Sequence, residues 1–223
     1  MSSKEIGVNY QTTNTYSTLH RLTTDTEYVW IACHGISYLS RYFIKYFNEL
    51  DSEKNYIIAP QAPAKYYQTK AFRYVGASWL TKENKATEIE NVLNYLDAVY
   101  EKENLADKKI ILLGYSQGVS MVMRWLQRRN LTCAHLVLHS GSIPDEFTAE
   151  DFQEKVKTKV HLIYGKSDEY IHSEKLELQF HLAKKLFDGK LEIHEFDGKH
   201  EVSREMLRKI EAEALSNLQK TKV

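Results

Sequence analysis

Short apolar runs, too brief for helices, alternate along most of this chain with longer stretches whose apolar residues recur every three or four positions. That alternation is the strongest constraint on its fold. Tyr28-Val29-Trp30-Ile31-Ala32-Cys33 is apolar throughout, the mark of a strand buried on both faces. Tyr56–Ala59, Ile110–Leu113 and Leu136–Leu138 repeat the pattern, and Val160–Tyr164 and residues 191–196 read as further strands. Between them, Leu39, Tyr42, Phe43, Tyr46, Phe47 and Leu50 fall at helical spacing, as do Ile89, Val92, Leu93, Leu96, Val99 and Tyr100. Further helices are predicted over 117–129, 173–187 and about 201–219. Strands alternating with helices imply βαβ units with right-handed crossovers. The expectation is an α/β fold: one domain over residues 1–223, with a mostly parallel sheet covered by helices on both faces. Residues 1–27, rich in Thr and Tyr, suit an N-terminal edge hairpin. Residues 60–78 hold two of the three prolines and several aromatics without clear period, which predicts a long substrate-side loop.

Charge and composition exclude several function classes. The 30 Lys and Arg balance 30 Asp and Glu, so there is no electrostatic basis for wrapping nucleic acid or coating an anionic membrane. No apolar run approaches a membrane span, and the N-terminal residues lack the apolar core of a secretory signal, which predicts a cytoplasmic protein without integral membrane association. Cys33 and Cys133 each sit in or beside an apolar run and read as buried thiols rather than a disulfide. His20, His172 and His181 fall in predicted surface segments, while His135, His139, His161 and His194 fall on strands. No pair has metal-ligand spacing, so neither a metal nor a cofactor is expected.

In open parallel sheets chemistry collects beyond the carboxyl ends of the strands. There stands Gly114-Tyr115-Ser116-Gln117-Gly118, a G-x-S-x-G directly between an apolar strand and a helix. A strand that reverses so sharply strains its central residue, and flanking glycines let the turn close with Ser116 projecting into a cleft. A serine hydroxyl needs a base to act as a nucleophile. In this architecture the acid and then the histidine follow in chain order, each just past a strand. Asp168 and His200 satisfy that order; Glu169 is an alternative acid, and Asp197 reads as a turn former. The oxyanion of an acyl-transfer intermediate needs donors. The Gln117 N–H, at a helix N-terminus, is one, and the Ile36 N–H after Cys33-His34-Gly35 is the second candidate.

Together these residues resemble the α/β-hydrolase superfamily, and within it the phospholipase/carboxylesterase branch that includes acyl-protein thioesterases. The resemblance runs from about residue 28 to 215. It draws also on Ala59-Pro60-Gln61-Ala62-Pro63, Ser78-Trp79-Leu80, Gly165-x-x-Asp168 and Gly198-Lys199-His200-Glu201. It implies a triad of Ser116, Asp168 and His200, with oxyanion donors on Ile36 and Gln117. It also likens Trp79 to the branch's tryptophan beside the acyl pocket; Trp79 and Tyr115 are the expected substrate contacts. The branch carries a Gly/Asp-rich loop after its His-Gly, whereas here Ile36-Ser37-Tyr38-Leu39 runs almost directly into a helix. The expected function is cofactor-independent hydrolysis of small carboxylic esters through an acyl-serine. Thioesterase, lysophospholipase, acyltransferase and peptidase chemistry use the same triad, and a non-catalytic binding protein can share the fold.

Overall fold

The six predicted strands become parallel strands of one sheet, and the order in which they pair places the cleft. The computed structural model describes residues 3–171 and 173–221. The strands are β1 (Tyr16–Leu19), β2 (Tyr28–Cys33), β3 (Asn55–Pro60), β6 (Ile110–Tyr115), β7 (Cys133–His139), β8 (Val156–Gly165) and β9 (Leu191–Phe196). Their spatial order is β1-β3-β2-β6-β7-β8-β9, with β1 antiparallel and the rest parallel. From central β2 the chain steps to β3 on one side and then crosses to β6 on the other. The loops after β2 and β6 therefore leave in opposite directions and open a crevice between them, the usual ligand position in such sheets.

The helices are α1 (Ser40–Phe43), α2 (Lys85–Lys102), α3 (Gln117–Arg128), α4 (Ser173–Phe187) and α5 (Arg204–Thr221). Helices α2, α3 and α4 cover one sheet face, where Leu93, Leu96, Val122 and Phe187 pack against Ile31, Ile58, Leu112 and Leu138. On the other face α1, the turn after it and α5 bring Phe43, Phe47, Leu207 and Ile210 onto Trp30, Ile57, Leu113 and Val137. Every residue of β2, β3 and β6 is buried, as continuous apolar runs in a doubly covered sheet should be. Cys33 and Cys133 are buried free thiols.

Three local expectations give way. Among the described residues the N-terminal segment forms no hairpin: residues 3–15 lack regular structure, and β1 pairs with β3, so its partner comes from across the sheet rather than from the next turn. The 60–78 segment is no loop but an antiparallel hairpin of β4 (Ala64–Tyr67) and β5 (Val75–Ser78). All four β4 residues are exposed, so no buried face left an alternating pattern to read. The helix expected over 39–50 shortens to α1 and a 3₁₀ turn over Ile44–Phe47.

Four histidines, His34, His135, His139 and His161, are fully buried. Burial pulls their pKa values down to about 4, 4, 3 and 2 respectively, so each is neutral at physiological pH. His172 lies outside the described residues.

Candidate active site

Parallel register lines up the strand ends that carry the expected chemistry. Cys33 pairs with Gly114, Tyr115 with His139, His139 with Ile163, and Gly165 with Phe196. The segments that follow, at residues 34–36, 116, 140, 166–168 and 197–200, therefore emerge along a single edge. Ser116 turns from β6 into α3 with φ 52° and ψ −117°, a conformation costing about 1–3 kcal/mol that the surroundings must hold. Its N–H donates to the His139 carbonyl at 2.9 Å. Gly118 is required by proximity: a Cβ there would lie 2.1 Å from the Cys33 carbonyl oxygen, so only glycine lets α3 start against β2.

Ser116, His200 and Asp168 come together in one hydrogen-bonded line. His200 Nε2 lies 3.0 Å from Ser116 Oγ, and His200 Nδ1 lies 2.8 Å from Asp168 Oδ2. The Asp168 side chain is nearly buried, and its other oxygen accepts the Tyr170 N–H at 3.0 Å. Because the carboxylate accepts at Nδ1, the histidine proton resides there and Nε2 faces the Ser116 hydroxyl as an acceptor. Glu169 stands outside this line, its carboxylate 3.4 Å from the His200 N–H. Asp197 is largely exposed and pairs with Lys166.

A cavity of about 580 Å³ opens over Ser116. Its wall includes Ile36, Gln117, Tyr115 and His200, together with Tyr38, Tyr170, Ile171 and Lys175, four residues that no sequence signal picked out. Ile36 is half-exposed on the rim. Gln117 opens α3, so its N–H has no carbonyl one turn back within the helix. The Gln117 side chain is held away from the cleft: Oε1 accepts the Trp79 N–H at 2.8 Å, and Nε2 donates to the Leu80 carbonyl at 2.8 Å. Tyr115 lines the cavity, yet its buried hydroxyl donates to the His200 carbonyl at 2.9 Å and pins the histidine loop.

Trp79 departs from expectation. It is 1% exposed and forms no part of the cavity wall. Its indole N–H donates to the His34 carbonyl at 2.7 Å, and its ring lies 5.1 Å from the His34 ring. The hairpin places this tryptophan behind the 34–36 turn, where it braces the backbone. His34 braces the same turn through Nδ1, which donates to the Gly35 carbonyl at 2.7 Å, while Nε2 accepts the Ala62 N–H at 3.1 Å. The hairpin meets the cavity rim at Ser37, whose carbonyl accepts from Gln68 at 2.7 Å and whose hydroxyl contacts the Tyr66 hydroxyl at 2.7 Å.

His139, a strand residue by its sequence pattern, links the Ser116 turn to the segment after His200. Its carbonyl receives the Ser116 N–H, while its Nε2 accepts the Ser203 N–H at 3.0 Å, three residues beyond His200. Among the described residues, the three side chains placed to share a metal ion are His161, Glu192 and His194, none of which lines the cavity. No described helix is long and apolar enough to cross a membrane.

Comparison with known proteins bears on the fold and the family. No curated protein matches the sequence. Maize acyl-protein thioesterase 2 superposes with a TM-score of 0.69 at 14% identity, over 92% of this chain and 99% of that one. Esterase PE8 gives 0.65 at 20% identity, over 88% and 95%. A phospholipase/carboxylesterase from Dyadobacter fermentans gives 0.62 at 15% identity, over 92% and 98%. At these identities the likeness is one of fold. The profile of the phospholipase/carboxylesterase family matches residues 23–216, and the chain belongs to that family of α/β-hydrolases.

Proposed function

We propose that this protein hydrolyses small carboxylic esters through an acyl-serine intermediate, with Ser116 as nucleophile, His200 as general base and acid, and Asp168 as the group that orients the imidazole. The observation that carries this reading is the unbroken line from Asp168 Oδ2 through His200 to Ser116 Oγ at 2.8 and 3.0 Å. Ser116 Oγ attacks the acyl carbon as Nε2 takes its proton, and the carboxylate stabilises the imidazolium that forms. The carbonyl oxygen gains charge beside Ile36 and Gln117, which line the cavity; their backbone N–H groups are the oxyanion donors in this reading, and donors fixed before reaction need no reorganisation. The imidazolium then protonates the departing alkoxide. Water, deprotonated by His200, attacks the acyl-serine and regenerates the hydroxyl.

Glu169 and Lys175 both line the cavity, so the wall carries no net charge, which favours a neutral ester. Thioesters fit the same chemistry, since only the leaving atom changes. Ester turnover by the wild type and by Ser116→Ala tests the assignment. Loss of at least about 10³-fold with an unchanged melting temperature supports it; comparable rates in the two proteins overturn it.

A further inference from the structure

Beneath α5, away from the catalytic edge, three buried imidazoles form a row across neighbouring strands. His135 Nδ1 lies 3.1 Å from His161 Nε2, and His161 Nδ1 lies 3.0 Å from His194 Nε2. At its far end His194 Nδ1 meets Lys209 Nζ at 3.4 Å. The lysine fixes the direction of every hydrogen bond, because an ammonium only donates. His194 Nδ1 therefore accepts and its Nε2–H donates to His161 Nδ1. His161 Nε2–H in turn donates to His135 Nδ1. His135 Nε2 is left buried with no hydrogen-bond partner.

Hydrogen bonding accounts for the row but not for the carboxylate beside it. Glu192 Oε2 is 3.8 Å from His161 Nδ1 and 3.6 Å from His194 Nε2, too far to bond either nitrogen yet nearly equidistant from both. The other oxygen, Oε1, is held by Lys159 at 2.6 Å. Three atoms separated by 3.0, 3.6 and 3.8 Å lie on a circle of about 2.0 Å radius, close to the bond length of zinc to imidazole nitrogen or carboxylate oxygen. Other features fit a metal centre. His161 already presents Nδ1 as an acceptor while His135 holds its opposite N–H, the outer hydrogen bond that orients ligating histidines. Lys159 does the same for the carboxylate.

We propose that His161 Nδ1, His194 Nε2 and Glu192 Oε2 form a binding site for a Zn²⁺ ion, with water as the fourth ligand. Entry is from the solvent side of β9, where the Glu192 side chain is 40% exposed. Binding needs one tautomer change. His194 moves its proton from Nε2 to Nδ1, and Lys209, on the exposed face of α5, turns into solvent. No net proton is released. Because β9 runs directly into the loop carrying His200, the ion would clamp that edge strand to β8.

The test uses tag-free full-length protein, stripped with EDTA and dialysed, then titrated with ZnCl₂ by calorimetry and thermal melting. The site predicts one tightly bound ion per chain and a raised melting temperature. Co²⁺ in its place should give the intense visible absorption of a four-coordinate centre. Glu192→Gln, at a partly exposed position that leaves the core intact, should weaken zinc binding at least tenfold, as should His194→Gln. Lys209→Ala should tighten it by removing the competing ammonium. Ser116→Ala should bind zinc like the wild type, which separates this site from the ester chemistry. Absence of saturable binding at micromolar zinc, or equal affinity in the wild type, Glu192→Gln and His194→Gln, overturns the proposal.

Discussion

Mild acid should destabilise this protein well above the range in which carboxylates titrate, because of its buried imidazoles. His34, His135, His139 and His161 are fully buried, with pKa values lowered to about 4, 4, 3 and 2. In the unfolded chain each returns to about 6.5. Between those values the unfolded state binds more protons, so the stability the neutral histidines contribute is intact above pH 6.5 and lost as pH falls below it. Each group costs about 1.4 kcal/mol per pH unit, so at pH 5.5 the four together remove about 5 kcal/mol. That is a third or more of the roughly 5–15 kcal/mol available to a folded protein. Carboxylates held low by partners, such as Glu90 and Glu146 beside arginines, lose stability only below their unfolded values near 4 and leave this window clear. Urea titrations in EDTA at pH 7.5, 6.5 and 5.5 measure the effect. The slope of stability against pH near 5.5 should correspond to uptake of about four protons on unfolding, and His161→Gln should reduce it by about one. A change under about 1 kcal/mol from pH 7.5 to 5.5 would refute the reasoning.

Other consequences are more local. Trp79→Phe keeps the ring but leaves the buried His34 carbonyl unpaired; stability should fall by about 1–3 kcal/mol, with a lower kcat as the 34–36 turn loosens. An unchanged kcat in steady-state assays would show that this brace does not reach the proposed oxyanion donors. Asp168→Asn should lower kcat about 10⁴-fold with little change in melting temperature, because the imidazole loses the partner that fixes its tautomer. Cys33 and Cys133, whose pKa values burial raises far above neutral, should react with a thiol reagent only after denaturation. Rapid labelling of the native protein would contradict their burial.

The parts of this fold legible in the sequence are those where one local pattern has one structural outcome. A continuous apolar run such as Ile110–Leu113 suits only a doubly covered strand, and G-x-S-x-G between strand and helix needs its glycines, as the 2.1 Å approach of a Gly118 Cβ to Cys33 shows. What stayed illegible depends on pairings distant in sequence. β1 pairs with β3 rather than with β2, and the exposed β4 gives no alternation to read. Trp79 resembles a pocket residue in its local sequence, but the β4–β5 hairpin turns it inward onto His34. His135, His161 and His194 lack metal-ligand spacing along the chain, and only parallel register across three strands aligns them. Their placement on consecutive strands was the one available signal.

The most direct test of the central claim is the intact mass of the protein after exposure to a fluorophosphonate, with Ser116→Ala alongside. The line from Asp168 through His200 to Ser116 predicts a single adduct on the wild type and none on the variant. An adduct that persists in Ser116→Ala, or no adduct on the folded wild type, would contradict the assignment of Ser116 as an activated nucleophile.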